Sequence, residues 1–129
     1  MPQVYHVDLA QHAASADARW VDNLISRFVI SGVEGSGRGS SRRLSLSAIH
    51  EIALIRTLTA DLGIPLTSAV PVAQSLLSGK DVVVAVGPWL RIEFNRFAFL
   101  QEINELVADG VEAMTPVRRG RPPSARTAG

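Results

Sequence analysis

The chain of 129 residues contains no cysteine. That excludes a disulfide framework, thiolate metal sites and a cysteine nucleophile, and it suits a reducing compartment. Long apolar runs are missing too, and no stretch approaches the length a membrane span requires. The N-terminus lacks a basic segment followed by an apolar one, the pattern of a secretory signal. The expectation is therefore a soluble cytoplasmic protein. Catalytic constellations are equally scarce. His6, His12 and His50 stand apart, and "HEIAL" at 50–54 lacks the second histidine of H-E-x-x-H. No serine has an obvious base partner, and Glu102, Glu105 and Asp109 read as the solvated face of a helix. No catalytic residue, metal site or cofactor is expected, and the chain does not read as an enzyme.

What is present is a body able to fold and an uneven distribution of charge. Apolar residues make up 47% of the chain, enough for one domain with a hydrophobic core. The net charge of +1 hides strong local differences. Residues 35–43 carry +3 from Arg38, Arg42 and Arg43, and residues 115–129 carry +4 from Arg118, Arg119, Arg121 and Arg126. Residues 81–114 sum to −4. Cations gathered in two glycine- or proline-rich segments form an electrostatic footprint for a polyanion; the plainer alternative is that short arginine clusters only keep loops solvated.

Along the chain, Val4 to Ala13 reads as a short helix and "AASAD" breaks it, with Ser15 or Asp17 as N-cap of a second helix. That helix, "DARWVDNLISRFVI", places Trp20, Val21, Leu24, Ile25 and Phe28 at helical spacing, and Arg19, Asn23, Ser26 and Arg27 opposite. Trp20 reads as core rather than as a base-stacking residue. "LSLSAIHEIALIRTLTADLG" is a third helix, capped by Ser47 and stopped by Gly63 and Pro65. "LTSAVPVAQSLLSG" is a fourth, capped by Thr67 or Ser68, with Pro71 in its first turn. "KDVVVAVGPWLRIEF" reads as a β-hairpin around Gly87-Pro88, with Leu90, Ile92 and Phe94 on its buried face. "RFAFLQEINELVADGVEAM" is an amphipathic helix with Phe97, Leu100, Ile103, Val107 and Val111 in one stripe. Residues 115–129 carry no apolar periodicity and read as disordered until bound.

The stretch "GVEGSGRGSSRR" at 32–43 separates the second and third helices. Gly32 and Gly37 have the glycine spacing of a phosphate loop, but Arg38 and Gly39 replace its lysine and hydroxyl, and a helix precedes it where a strand is needed. A dinucleotide fingerprint fails because position 40 is serine. A plain linker would not need the three arginines. Helix, turn, helix, a Gly/Arg loop and a further helix are the order of a winged helix-turn-helix, with "VEGSGRGSSRRLS" as the wing. On "ARWVDNLISRFVI" and "RRLSLSAIHEIALIRTLTADLGIPLTSA" the chain resembles the MerR-type DNA-binding family over about residues 4–80. It departs from that pattern at Trp20-Val21, where family members commonly pair two aromatics. It departs again at Ser45, where they carry Tyr or Phe, and in lacking a long dimerising coiled coil.

The resemblance implies a winged helix-turn-helix unit at 1–80. A hairpin and helix at 81–114 for packing or dimerisation, and a basic tail at 115–129, are read from the residues themselves. The expected fold is therefore mainly α with a small β component. The resemblance also implies a bacterial-type transcription regulator, a homodimer on double-stranded DNA, with the second helix in the major groove. Ser15 and Asp17, at the start of that helix, are expected among the DNA-binding residues. Arg19 and Asn23 are suited to guanine and adenine edges, and Arg27 to a phosphate. Arg38, Arg42 and Arg43 are the wing cations. In the tail, Arg119-Gly120-Arg121-Pro122, preceded by Arg118, matches the core of an AT-hook, an extended segment that enters narrow A·T minor grooves. A different class of reading keeps the fold but makes the hairpin and last helix a docking module for a protein partner, antitoxin-like or polymerase-associated.

Overall fold

Val4, Tyr5 and His6 form a strand, β1 (Val4–His6), where helical periodicity had suggested a first turn. Tertiary pairing decides this: Val4 lies opposite Ser45 and Tyr5 opposite Leu44, in a strand nearly forty positions away. His6 then ends the strand and caps the helix α1 (Val7–Ala14), its Nδ1 accepting from the Asp8 N–H at 3.2 Å. The computed structural model describes residues 4–35, 42–79, 83–85 and 87–114, and it is mainly helical with two small antiparallel sheets. The arginine-bearing segments at 36–41 and 115–129 lie outside the described residues.

A link of three residues joins α1 to α2 (Ala18–Arg27). Ser15 takes the left-handed conformation at φ 54, and its N–H and that of Ala16 close the end of α1 on the carbonyls of His12 and Gln11. Asp17 is the N-cap of α2, its Oδ1 accepting from the Trp20 N–H at 2.8 Å. Val21 and Leu24 of α2 are fully buried, and Trp20, Ile25 and Phe28 pack partly against the same core. The helix ends at Arg27, three residues before the apolar pattern does, because Phe28 turns into extended backbone.

β2 (Val33–Glu34) and β3 (Arg43–Ser45) are the two arms of a hairpin, and β3 pairs on its other side with β1, so the sheet order is β1-β3-β2. Gly32 has φ +90, and a Cβ there would overlap Ser45 Oγ, so the chain needs glycine at the base of the hairpin. That Ser45 hydroxyl accepts from the Ala48 N–H at 3.1 Å and caps α3 (Leu46–Arg56). The expected cap, Ser47, is instead inside the first turn, because the strand runs directly into the helix.

α3 is the central element, buried at Ala48, Ile49 and the whole run Ile52–Ile55. It continues as a π-helical turn, Thr57–Asp61, before Gly63 and Pro65 end it as the sequence indicated. α4 (Leu66–Leu77) starts after Pro65 with no side-chain cap, so Thr67 and Ser68 lie within its first turn. Pro71 falls in the second turn, not the first, on the exposed face where the missing N–H costs least. β4 (Val83–Ala85) and β5 (Arg91–Glu93) form the hairpin around Gly87-Pro88, and Leu90 remains 48% exposed rather than buried. α5 spans Arg96–Met114, as its stripe indicated, and packs on α1 and α3. Gly110 allows a close approach to α1: a Cβ there would lie 2.6 Å from Leu9 Cδ2 and 2.9 Å from His12 Cδ2. Of the stripe, Ile103 and Val107 are buried, while Phe97 is 79% exposed.

Candidate nucleic-acid interface

The backbone alternation along β3 sorts the two adjacent arginines. Arg42 and Leu44 face the core side, and Arg43 faces solvent. Arg42 reaches across to α2, where its Nη1 is 3.2 Å from Asp22 Oδ1 and its Nη2 donates to Ser26 Oγ at 3.5 Å. It is 8% exposed and is the one buried charged side chain among the described residues. Arg42 therefore binds the hairpin to α2. Arg43 keeps an exposed side chain whose Nη1 donates to the Arg42 carbonyl at 3.3 Å.

On α2 the buried face holds Val21 and Leu24, and the outer face presents Arg19, Asp22, Asn23 and Ser26, which line one shallow groove. Arg19 and Asn23 are both exposed one turn apart. Arg27 is exposed in the last turn, its guanidinium 5.3 Å from the Phe28 ring centroid, where a cation also suits the helix dipole. Asp22 would repel phosphate, but Arg42 offsets its charge from within. Arg19 is the exposed charge in this groove, and the partly exposed Asp22 is paired with Arg42.

The remaining expected residues are placed as follows. Asp17 is a helix cap, and Ser15 is the left-handed link, exposed at the end of α1. Trp20 is half-buried against the core, and the Arg56 guanidinium lies 4.9 Å above its ring, so it serves packing. Arg38, Arg118, Arg119, Gly120 and Arg121 lie outside the described residues. Sequence reasoning missed Asp22 and Ser26, although an acid and a hydroxyl four positions apart on α2 offer a fork for an arginine. It also missed a polar contact joining α4 to α3 and to the segment after α2. There Gln74 Nε2 donates to Glu51 Oε2 at 2.8 Å and to the Val29 carbonyl at 3.2 Å. Burial raises the Glu51 carboxyl above the usual range, and the Gln74 hydrogen bond partly offsets this.

Among the described residues no group of three or more His, Asp or Glu is placed to hold a metal ion, and no helix is long and apolar enough to cross a membrane. Comparison with protein-family models, with curated proteins and with solved structures gives no match to this chain.

Proposed function

We propose that the protein is a sequence-specific DNA-binding transcription regulator with a winged helix-turn-helix of MerR-like organisation. In this reading α1 and α2 are the helix-turn-helix, α2 enters the major groove, and the β2–β3 hairpin is the wing. The order β1-β3-β2, with both helices between β1 and the hairpin, supports it. So does the tight link through Ser15, Ala16 and Asp17.

The observation that carries the reading is the exposed pair Arg19 and Asn23, one turn apart on the open face of a helix whose other face is buried. Beside that face sits a hairpin that carries Arg43 on its exposed side and has Arg38 in the sequence joining its two strands. Arginine and asparagine offer bidentate contacts to guanine and adenine edges. Arg42 has a changed role here: it fixes the angle between wing and helix, while Arg43 remains a phosphate contact. The basic tail adds a second DNA element.

The test is enrichment from a randomised duplex pool, followed by a salt titration of the selected duplex. A single enriched sequence and a slope of log K against log salt of about 0.9 per phosphate contact are expected. No enrichment together with a slope near zero would remove DNA from the function. One observation favours the second reading, a protein-docking module: Trp89 is 85% and Phe97 is 79% exposed. In the first reading the α5 face around Phe97 joins two copies of the chain on two half-sites.

A further inference from the structure

A second cleft lies between the end of α1, the α3–π-helical segment and α5, with a volume of about 410 Å³. This is within the range of small-ligand sites. Its charged lining consists of Arg56, Asp61 and Glu102. The cleft is roomy because Ala53 and Ala60 line it, and Leu106 supplies an apolar wall.

The charges in this cleft do not satisfy one another. The two ion pairs among the described residues are Arg42–Asp22 and His6–Asp8. Neither the Asp61 nor the Glu102 carboxylate makes a hydrogen bond or ion pair with a described residue, and the Arg56 guanidinium rests on the Trp20 ring without an acid partner. Opposite charges sharing one concave site without pairing leave both open to a ligand that carries both signs. A simple anion would meet two carboxylates, and a simple cation would meet Arg56. Two backbone irregularities border the site, the π-helical turn Thr57–Asp61 and the left-handed Ser15. Both kinds of irregularity recur at functional positions.

We propose that this cleft binds a zwitterionic α-amino acid with an apolar side chain. Arg56 takes the carboxylate, Glu102 and Asp61 take the ammonium, and the side chain lies against Leu106. The site goes beyond the DNA reading and does not rest on it, since binding is measured with no DNA present. It also has a built-in reporter. Arg56 touches both the ligand carboxylate and the face of Trp20, so ligand binding changes the environment of Trp20 on α2.

The experiment uses the full chain with Trp89→Phe, which leaves Trp20 as the one tryptophan. L-valine, L-leucine, L-isoleucine and L-methionine are titrated by Trp20 fluorescence and by calorimetry. Isoamylamine and 4-methylpentanoate, which each lack one of the two charges of leucine, serve as analogues. At least one amino acid should bind saturably, and losing either charge should weaken binding about tenfold or more, the value of one charged hydrogen bond. Arg56→Gln and Glu102→Gln should each weaken the amino acid by a similar factor. If none of the four binds, or if either analogue binds as well as leucine, the proposal is overturned. The analogue comparison uses unaltered cleft residues, so it stands even if Arg56→Gln unfolds the chain.

Discussion

Arg42 Nη1 lies 3.2 Å from Asp22 Oδ1, and this contact joins the hairpin strand to the helix that presents Arg19 and Asn23. An arginine in a run of wing cations would ordinarily be assigned to phosphate. Here Arg42, the residue just before β3, is turned inward, and the helix supplies an acid to meet it. The contact thus positions the hairpin against α2, and its loss should be felt in stability first.

Arg42→Ala should destabilise the fold by about 1–3 kcal/mol, below the full cost of breaking a buried pair because Asp22 retains contact with water. Arg43→Ala, on the solvent side of the same strand, should change stability by no more than about 0.5 kcal/mol. Urea denaturation of both variants separates the two roles. Equal effects would mean that the inward contact contributes nothing beyond a surface pair.

Arg19→Ala should relax sequence choice, since a bidentate arginine–guanine contact discriminates by about 1–3 kcal/mol. Its fold should be unaffected because the side chain is exposed. Arg43→Ala should weaken all duplexes alike, because phosphate contacts carry little sequence information. Anisotropy with the selected duplex and a scrambled one measures both. An unchanged ratio of specific to nonspecific affinity in Arg19→Ala would sink the assignment of α2 to the major groove.

Much of this was legible in the sequence where the signal was local. Asp17 as a cap, Gly63 and Pro65 as a stop, the turn at Gly87-Pro88 and the bounds of α5 each follow from residues within a turn of the feature. What was hidden depended on distant partners. β1 has three residues, too few for a periodic pattern, and exists because β3 pairs with it. Ser45 rather than Ser47 caps α3 because the strand, not a loop, delivers the chain. The inward turn of Arg42 needs Asp22, twenty residues earlier, and the charge pattern alone placed it with Arg43. The cleft around Arg56 draws Glu102 from an element that a sequence reading had set apart from the first eighty residues.

Gly110→Val should destabilise the chain by about 1–3 kcal/mol, the usual cost of overpacking. Even a single Cβ at that position meets Leu9 and His12, and Leu9 is itself buried and has little room to move. Gly110→Ala places that same Cβ against Leu9 and should destabilise as well, but by less than valine, because it adds no Cγ atoms and alanine has the better helix propensity. Thermal melting of the two variants reads the difference. Equal melting temperatures would show that α5 is not held tightly on α1.

Phe97→Asp should abolish self-association without unfolding the chain. Phe97 is 79% exposed and lines an open groove with Leu100 and Ala108, so its replacement removes little packing within one chain. A buried aspartate at a two-fold interface would be costly to both copies. Light scattering at micromolar concentration should give a dimer for the parent chain and a monomer for the variant. A parent chain that is already monomeric would remove the two-copy arrangement.

Glu51→Gln should flatten part of the pH dependence of stability. Burial raises the Glu51 carboxyl above its ordinary value of 4.5, so the folded state holds that proton more strongly than the unfolded chain does. The stability this group contributes is therefore complete below the ordinary value and is lost as pH rises through the raised one. Glutamine has nothing to titrate, and its carbonyl can still accept from Gln74 Nε2, as Glu51 Oε2 does. The parent chain should lose stability relative to the variant as pH rises from about 4 to about 7, because only the parent must ionise a desolvated carboxylate. Urea midpoints for both proteins across that range give the comparison, and other titrating groups cancel in the difference. A constant difference would place Glu51 in full contact with water. A difference of opposite sign would mean that the Gln74 hydrogen bond outweighs burial and holds the carboxylate in its charged form.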